Sequence, residues 1–203
     1  MPRWLPAALR GTFVAAYPLL VYVGVSRWSP RVLGLVLLAA LLPGLVSKLR
    51  TADRAHLWPV LRVPLSIFAL VGLGAALNEP RFFYALPVLV NLMLLANFAA
   101  TLRGPVSMIE RFARMQEPEL PPGGEAYCRK VTIVWCWFFV ANAAMSAALA
   151  LWAPVAWWSL YVGGIAYLLI GVMFTVEYIV RKATFRRFSD ALPDRLLRKV
   201  FGA

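Results

Sequence analysis

The chain has 203 residues, 62% of them hydrophobic and 15% charged, where an ordinary soluble domain is about half apolar and about a quarter charged. A formal charge of +12 would direct a soluble protein to nucleic acid. Here the basic residues form short clusters between long apolar runs, which suits anionic lipid headgroups and excludes a nucleic-acid partner. The composition therefore predicts an all-α integral membrane helical bundle.

In chain order, predicted apolar helices run from Gly11 to Ser26, Val32 to Val46, Val63 to Leu77, Phe83 to Leu102, Val131 to Trp152 and Val155 to Val176. The last three are long enough to span, because a crossing helix needs about 20 mostly apolar residues. The first three reach that length only with flanking residues, with Arg10 and Arg62 snorkelling toward headgroups, or in a locally thin bilayer. The first run, with Arg3 and Arg10 ahead of it, has the outline of a secretory signal. No convincing small-residue cleavage site follows, so it reads as a retained helix.

Of the 21 Lys and Arg, only Arg27, Arg31 and Arg81 fall in the odd-numbered connections. The rest lie in the N-terminus, the second and fourth connections and the tail. Cytoplasmic connections hold such an excess. The expectation is six transmembrane helices with both termini inside, in the inner membrane of a bacterium: a transmembrane domain over residues 1–182, with a cytoplasmic loop over 103–130, and a basic tail over 183–203. A re-entrant hairpin made of the first two runs would keep the later orientation, but it would carry Arg27 and Arg31 to depth, at a cost of several kcal/mol.

The fourth connection has room for structure outside the bilayer. From Pro105 to Met115 a helix would place Val106, Ile109, Phe112 and Ala113 on an apolar stripe, with Glu110, Arg111 and Arg114 away from it, as in an interfacial helix. Glu117-Pro-Glu-Leu-Pro-Pro-Gly-Gly-Glu125 cannot continue that helix, since its prolines remove donors and fix backbone angles, and reads as a loop carrying three carboxylates.

The inventory of reactive groups is short. His56 is the single histidine and has no acidic residue four positions on, so neither a His-Asp pair nor a histidine-rich metal centre can be assembled. Cys128 and Cys136 lie roughly two helical turns apart on one run, a spacing that disfavours a disulfide between them and gives no metal site. No catalytic residue, cofactor or metal is expected. Glu177, the one carboxylate toward the end of the last apolar run, has Arg181 at i+4, which reads as an ion pair ahead of a proton relay. Asn78, Asn91, Asn97 and Asn142 lie at or within apolar runs, Asn97 and Asn142 the more interior, where an amide needs a partner. Asn142, Ser146 and Ala150 share one face of the fifth run, with Ala143 and Ala147 beside it. Gly164, Leu168, Gly171, Thr175 and Tyr178 line one face of the sixth. Both read as packing faces, with a polar substrate path as the alternative. Trp4, Trp28, Trp58, Trp152, Trp157, Trp158 and Tyr161 sit near predicted membrane ends, as in an aromatic belt. Trp135, Trp137, Phe138 and Phe139 form a denser patch, read as packing of the loop against the helix, with an acyl-chain groove as the alternative.

Three segments carry a family resemblance: Glu110-Arg-Phe-Ala-Arg-Met115 with Pro118-Glu-Leu-Pro-Pro122; Tyr127-Cys-Arg-Lys-Val-Thr-Ile-Val-Trp-Cys-Trp-Phe-Phe139 with Asn142; and Tyr167-Leu-Leu-Ile-Gly-Val-Met-Phe174 ending in Glu177-Tyr-Ile-Val-Arg181. Over roughly Phe83 to Lys182 the chain resembles an uncharacterised family of bacterial six-helix inner-membrane proteins, itself similar to the intracellular septation protein A family. Members tend to be encoded among fatty-acid-synthase-like genes for aryl polyene or xanthomonadin-type lipids. The chain departs from the family pattern at Val162 and Gly163, and at Ala143. The resemblance implies an accessory membrane role in envelope lipid production, with a septation or envelope-maintenance role as an alternative. An acyl carrier protein is acidic, so it or an acyltransferase could dock on Arg111, Arg114, Arg129 and Lys130, which could equally meet lipid headgroups. Alternatively the chain transports or flips a lipid or polyene along Asn97, Asn142 and Glu177. A homo-oligomer is compatible with either role.

Overall fold

The computed structural model describes residues 22–24, 26–51, 57–186, 198 and 201. Arg3, Trp4, Arg10, His56, the first predicted helix before Tyr22 and most of the basic tail lie outside them.

Helix α1 covers Pro30–Thr51. It starts where local chemistry dictates: Ser29 Oγ accepts the Val32 N–H at 3.4 Å, and Pro30 occupies the first turn, where a missing N–H does no harm. Helix α2, Leu57–Leu77, stops at Asn78, which adopts φ 54°. The Asn78 and Glu79 N–H groups turn back to the Ala75 and Gly74 carbonyls, the left-handed termination that asparagine tolerates. Asn78 is thus a helix stop, not an amide held within a membrane helix.

The fourth predicted run is divided. A single turn, α3 (Arg81–Tyr84), meets α4 (Leu86–Leu102) at Ala85. Pro87 has no N–H to give the Phe83 carbonyl, which is why the ladder breaks there. Helix α5 covers Met108–Gln116 and α6 covers Gly124–Trp152. A connection through Ala153 and Pro154 leads into α7, Val155–Leu160, then a π-helical stretch, Tyr161–Ile165, and α8, Ala166–Phe185. Helix α8 ends at Phe185, three residues past the expected edge of the transmembrane domain, and is capped by Arg186 at φ 50°. No strand occurs among the described residues.

Among the described residues, four segments are long and apolar enough to cross a membrane: Pro30–Ser47, Arg81–Leu102, Gly124–Trp152 and Val155–Phe185. The apolar part of α2, Pro64–Leu77, is shorter. The distribution of side chains supports lipid as the solvent. Leu35, Leu77, Leu151, Leu168 and Phe174 are exposed, whereas Thr101, Ser107, Glu110, Thr132, Asn142, Ser146 and Ser159 are buried. A protein in water rarely exposes so much contiguous apolar surface, and in hydrocarbon the polar and small residues are the ones that face inward.

The chain forms two compact units. One comprises Met1–Asn97 with Trp137–Gly164, the other Phe98–Cys136 with Ile165–Ala203. In the first, α1 and α2 pack closely because glycine stands at the contact. A Cβ on Gly34 would lie 2.5 Å from the Ala75 Cβ, and one on Gly74 would lie 3.0 Å from the Phe83 ring. Tyr84 meets Trp158 at a ring separation of 4.9 Å. Trp158 is buried, and its indole N–H has no hydrogen-bond partner among the described residues. Trp158 is therefore a packing residue and not part of a belt, whereas Trp28, Trp152 and Trp157 are exposed as a belt requires.

Overpacking the α1–α2 contact should be costly. Gly34→Leu is expected to lower stability by about 1–3 kcal/mol. Gly44→Leu, at a site where an added Cβ meets no described atom within 4 Å, should change it little. Thermal unfolding of both variants in detergent, read by circular dichroism, checks this.

Candidate functional site

The second unit holds a polar platform built around α5. A helix N-terminus leaves bare N–H groups that must find acceptors, and beside apolar helices water is a poor source. Two threonines supply them. The Met108 N–H donates to Thr101 Oγ1 at 2.9 Å, and the Ile109 N–H donates to Thr132 Oγ1 at 3.2 Å. Each hydroxyl donates its own proton to its parent helix, Thr101 to the Phe98 carbonyl and Thr132 to that of Cys128. Glu110 bends back so that the Ser107 N–H donates to its Oε2 at 3.4 Å. The first turn of α5 is thus joined to the end of α4 and the start of α6.

Glu110 is buried, 3% exposed, and a carboxylate there requires a cation. Arg114, one turn on, donates from Nε and Nη2 to Oε1 at 3.0 and 2.8 Å. Arg114 Nη2 also reaches Glu125 Oε1 at 2.6 Å, and Nη1 reaches the Pro118 carbonyl at 3.4 Å. The hydrogen bond to Glu110, reinforced by the charges of both glutamates, pushes the guanidinium above its ordinary value, so it stays cationic. Glu125 stands in the first turn of α6, where a negative charge is also favoured by the helix dipole. One arginine therefore ties α5, the proline-rich turn and α6 together. Arg129 does a related task at the end of α4, donating from Nη2 to the Leu102 carbonyl and from Nη1 to that of Gly104 at 3.2 Å. A cation at a helix C-terminus satisfies bare carbonyls and suits the dipole.

These contacts alter the expected amphipathic helix. Glu110 does not face away from the packed side: it is the most buried residue of α5, and Phe112 and Met115 are exposed. Helix α6 begins well before Val131, taking in Glu125 to Lys130. Trp135 packs on Phe98 and Phe174, at ring separations of 6.4 and 4.9 Å, so its patch joins helices and does not anchor the loop; Trp137 is exposed.

Of the expected docking residues, Arg114 and Arg129 are committed to structural partners, and Arg111 and Lys130 are exposed. Glu177 and Arg181 form the anticipated i,i+4 pair, Arg181 Nε lying 3.5 Å from Glu177 Oε1. Asn97 and Asn142 each donate to the carbonyl one turn back on their own helix, Met93 and Phe138. Asn142 Oδ1 also accepts the Tyr161 hydroxyl at 2.9 Å. Tyr161, assigned to a belt by its position, is instead buried at the start of the π-helical stretch. On the fifth predicted helix Asn142, Ala143 and Ser146 are buried as a packing face should be. On the sixth, Leu168, Gly171 and Thr175 are exposed, and an added Cβ on Gly171 meets no described atom within 4 Å. Cys128 and Cys136 are both free thiols.

Comparison of the chain with family models, curated proteins and solved structures found no match.

The platform predicts a ranking of stabilities. Thr132→Val keeps the shape but strands the Ile109 N–H, and should cost about 1–3 kcal/mol. Arg114→Ala should lower the melting temperature further, because it leaves Glu110 buried without its cation. Arg111→Ala should leave it unchanged. Melting curves of the three purified variants test the order.

Proposed function

We propose that the chain is a non-enzymatic accessory protein of a bacterial inner membrane, with six transmembrane helices and both ends in the cytoplasm, that serves envelope lipid biosynthesis by docking a cytosolic partner. The observation that carries this reading is the folded platform at 101–129. A fixed surface suits protein docking better than a flexible loop, since little ordering entropy is lost on binding. Within it Arg114 is occupied by Glu110 and Glu125, while Arg111 and Lys130 remain exposed for an acidic partner such as an acyl carrier protein. The resemblance to proteins encoded among aryl polyene genes supports the same class of partner, an acyltransferase included. The transport reading has less support: Asn97 and Asn142 have their amides bonded within their own helices, and Glu177 is paired with Arg181.

The test is co-purification with co-expressed acyl carrier protein. Arg111→Glu combined with Lys130→Glu should abolish recovery of the carrier while the melting temperature holds, because neither residue supports the platform. Equal recovery with wild type would remove the proposal.

A further inference from the structure

A cleft of about 220 Å³ opens in the second unit between the end of α5, the start of α6 and the last turns of α8. Its α8 wall carries Tyr178, Arg181 and Lys182, and its α5 wall carries Gln116 and Glu117. The floor is rigid. The Tyr127 hydroxyl donates to the Glu177 carbonyl at 3.3 Å, and Phe185 packs edge-on against the Tyr127 ring at 5.3 Å. Arg181 and Lys182 lie 5.9 and 5.5 Å from the centre of the Tyr178 ring. Arg181 Nε is buried and near Glu177, yet is not aligned for a hydrogen bond with any described group.

We propose that this cleft binds the headgroup of a zwitterionic phospholipid, its phosphodiester against Arg181 and Lys182 and its terminal ammonium toward Glu117. The charges of the two walls match such a group end to end. The volume is smaller than the roughly 300 Å³ at which pockets for whole small molecules begin, so it suits a headgroup whose acyl chains lie outside, along the apolar flank of α8. Position agrees, since Arg181 and Lys182 close the last apolar helix, at the depth where headgroups sit. The inference needs the helices to cross a membrane but does not depend on the partner-docking reading.

Native mass spectrometry of the detergent-purified protein, titrated with phosphatidylethanolamine, phosphatidylglycerol or inorganic phosphate, provides the test. Phosphatidylethanolamine should be retained over phosphatidylglycerol, and inorganic phosphate should not bind. Lys182→Gln should weaken both lipids about tenfold, as loss of a charged hydrogen bond does. Glu117→Gln should erase the preference without weakening phosphatidylglycerol. Both substitutions replace partly exposed groups at the cleft rim, so folding is expected to survive, and unchanged melting temperatures confirm it. Equal retention of the two lipids by wild type, or indifference to Lys182→Gln, would overturn the assignment.

Discussion

The second unit depends on a pair of threonine hydroxyls that each do two things at once. Thr101 and Thr132 satisfy their own helices by donating backward and satisfy α5 by accepting forward. Helix α5, at nine residues, is too short to persist in isolation, since helices under about 12 residues are marginal in water. Its start is fixed by those hydroxyls and its end by Arg114. The buried Glu110 makes the arrangement all-or-none: its carboxylate is tolerable only while Arg114 and the Ser107 N–H are in place.

The surrounding helices obey a complementary rule. Because lipid offers no hydrogen bonds, amides and hydroxyls along the apolar helices close onto carbonyls of their own helices, as Asn91, Asn97 and Thr175 do. Asn142 goes further and takes the Tyr161 hydroxyl. That bond falls where the π-helical stretch begins, and Gly163 and Gly164 within the stretch, poor helix formers, lower the cost of the irregular turn. Large apolar side chains are left to face outward, which only a hydrocarbon solvent accepts.

Much of this was legible from the apolar runs. Val32 to Val46, Val63 to Leu77, Val131 to Trp152 and Val155 to Val176 each fall within helical structure, and the Glu177–Arg181 pair follows from its spacing alone. What escaped the sequence depends on contacts distant along the chain. Glu110 has both partners close in sequence, Ser107 three residues before it and Arg114 four after, but its burial follows from α5 being drawn against α4 and α6 through Thr101 and Thr132. Pro121, Pro122, Gly123 and Gly124 looked like loop throughout, yet prolines just ahead of a helix do not hinder its start. Gly123 supplies the φ of 79° from which α6 sets out. Thr101 and Thr132 carried no signal, since a threonine near a helix end is common and its partner lies seven or more residues away. Arg114 and Arg129 counted as free basic charge in the sequence, and only folding assigns them to carboxylates and carbonyls.

The most direct measurement of this account is amide hydrogen exchange across residues 105–130 of the purified protein in lipid nanodiscs. The Met108 and Ile109 amides should be protected like the adjoining end of α4, while those of Glu119 and Leu120 exchange quickly. Rapid exchange at Met108 and Ile109, matching that turn, would mean that α5 is not held by Thr101 and Thr132 and would contradict the platform.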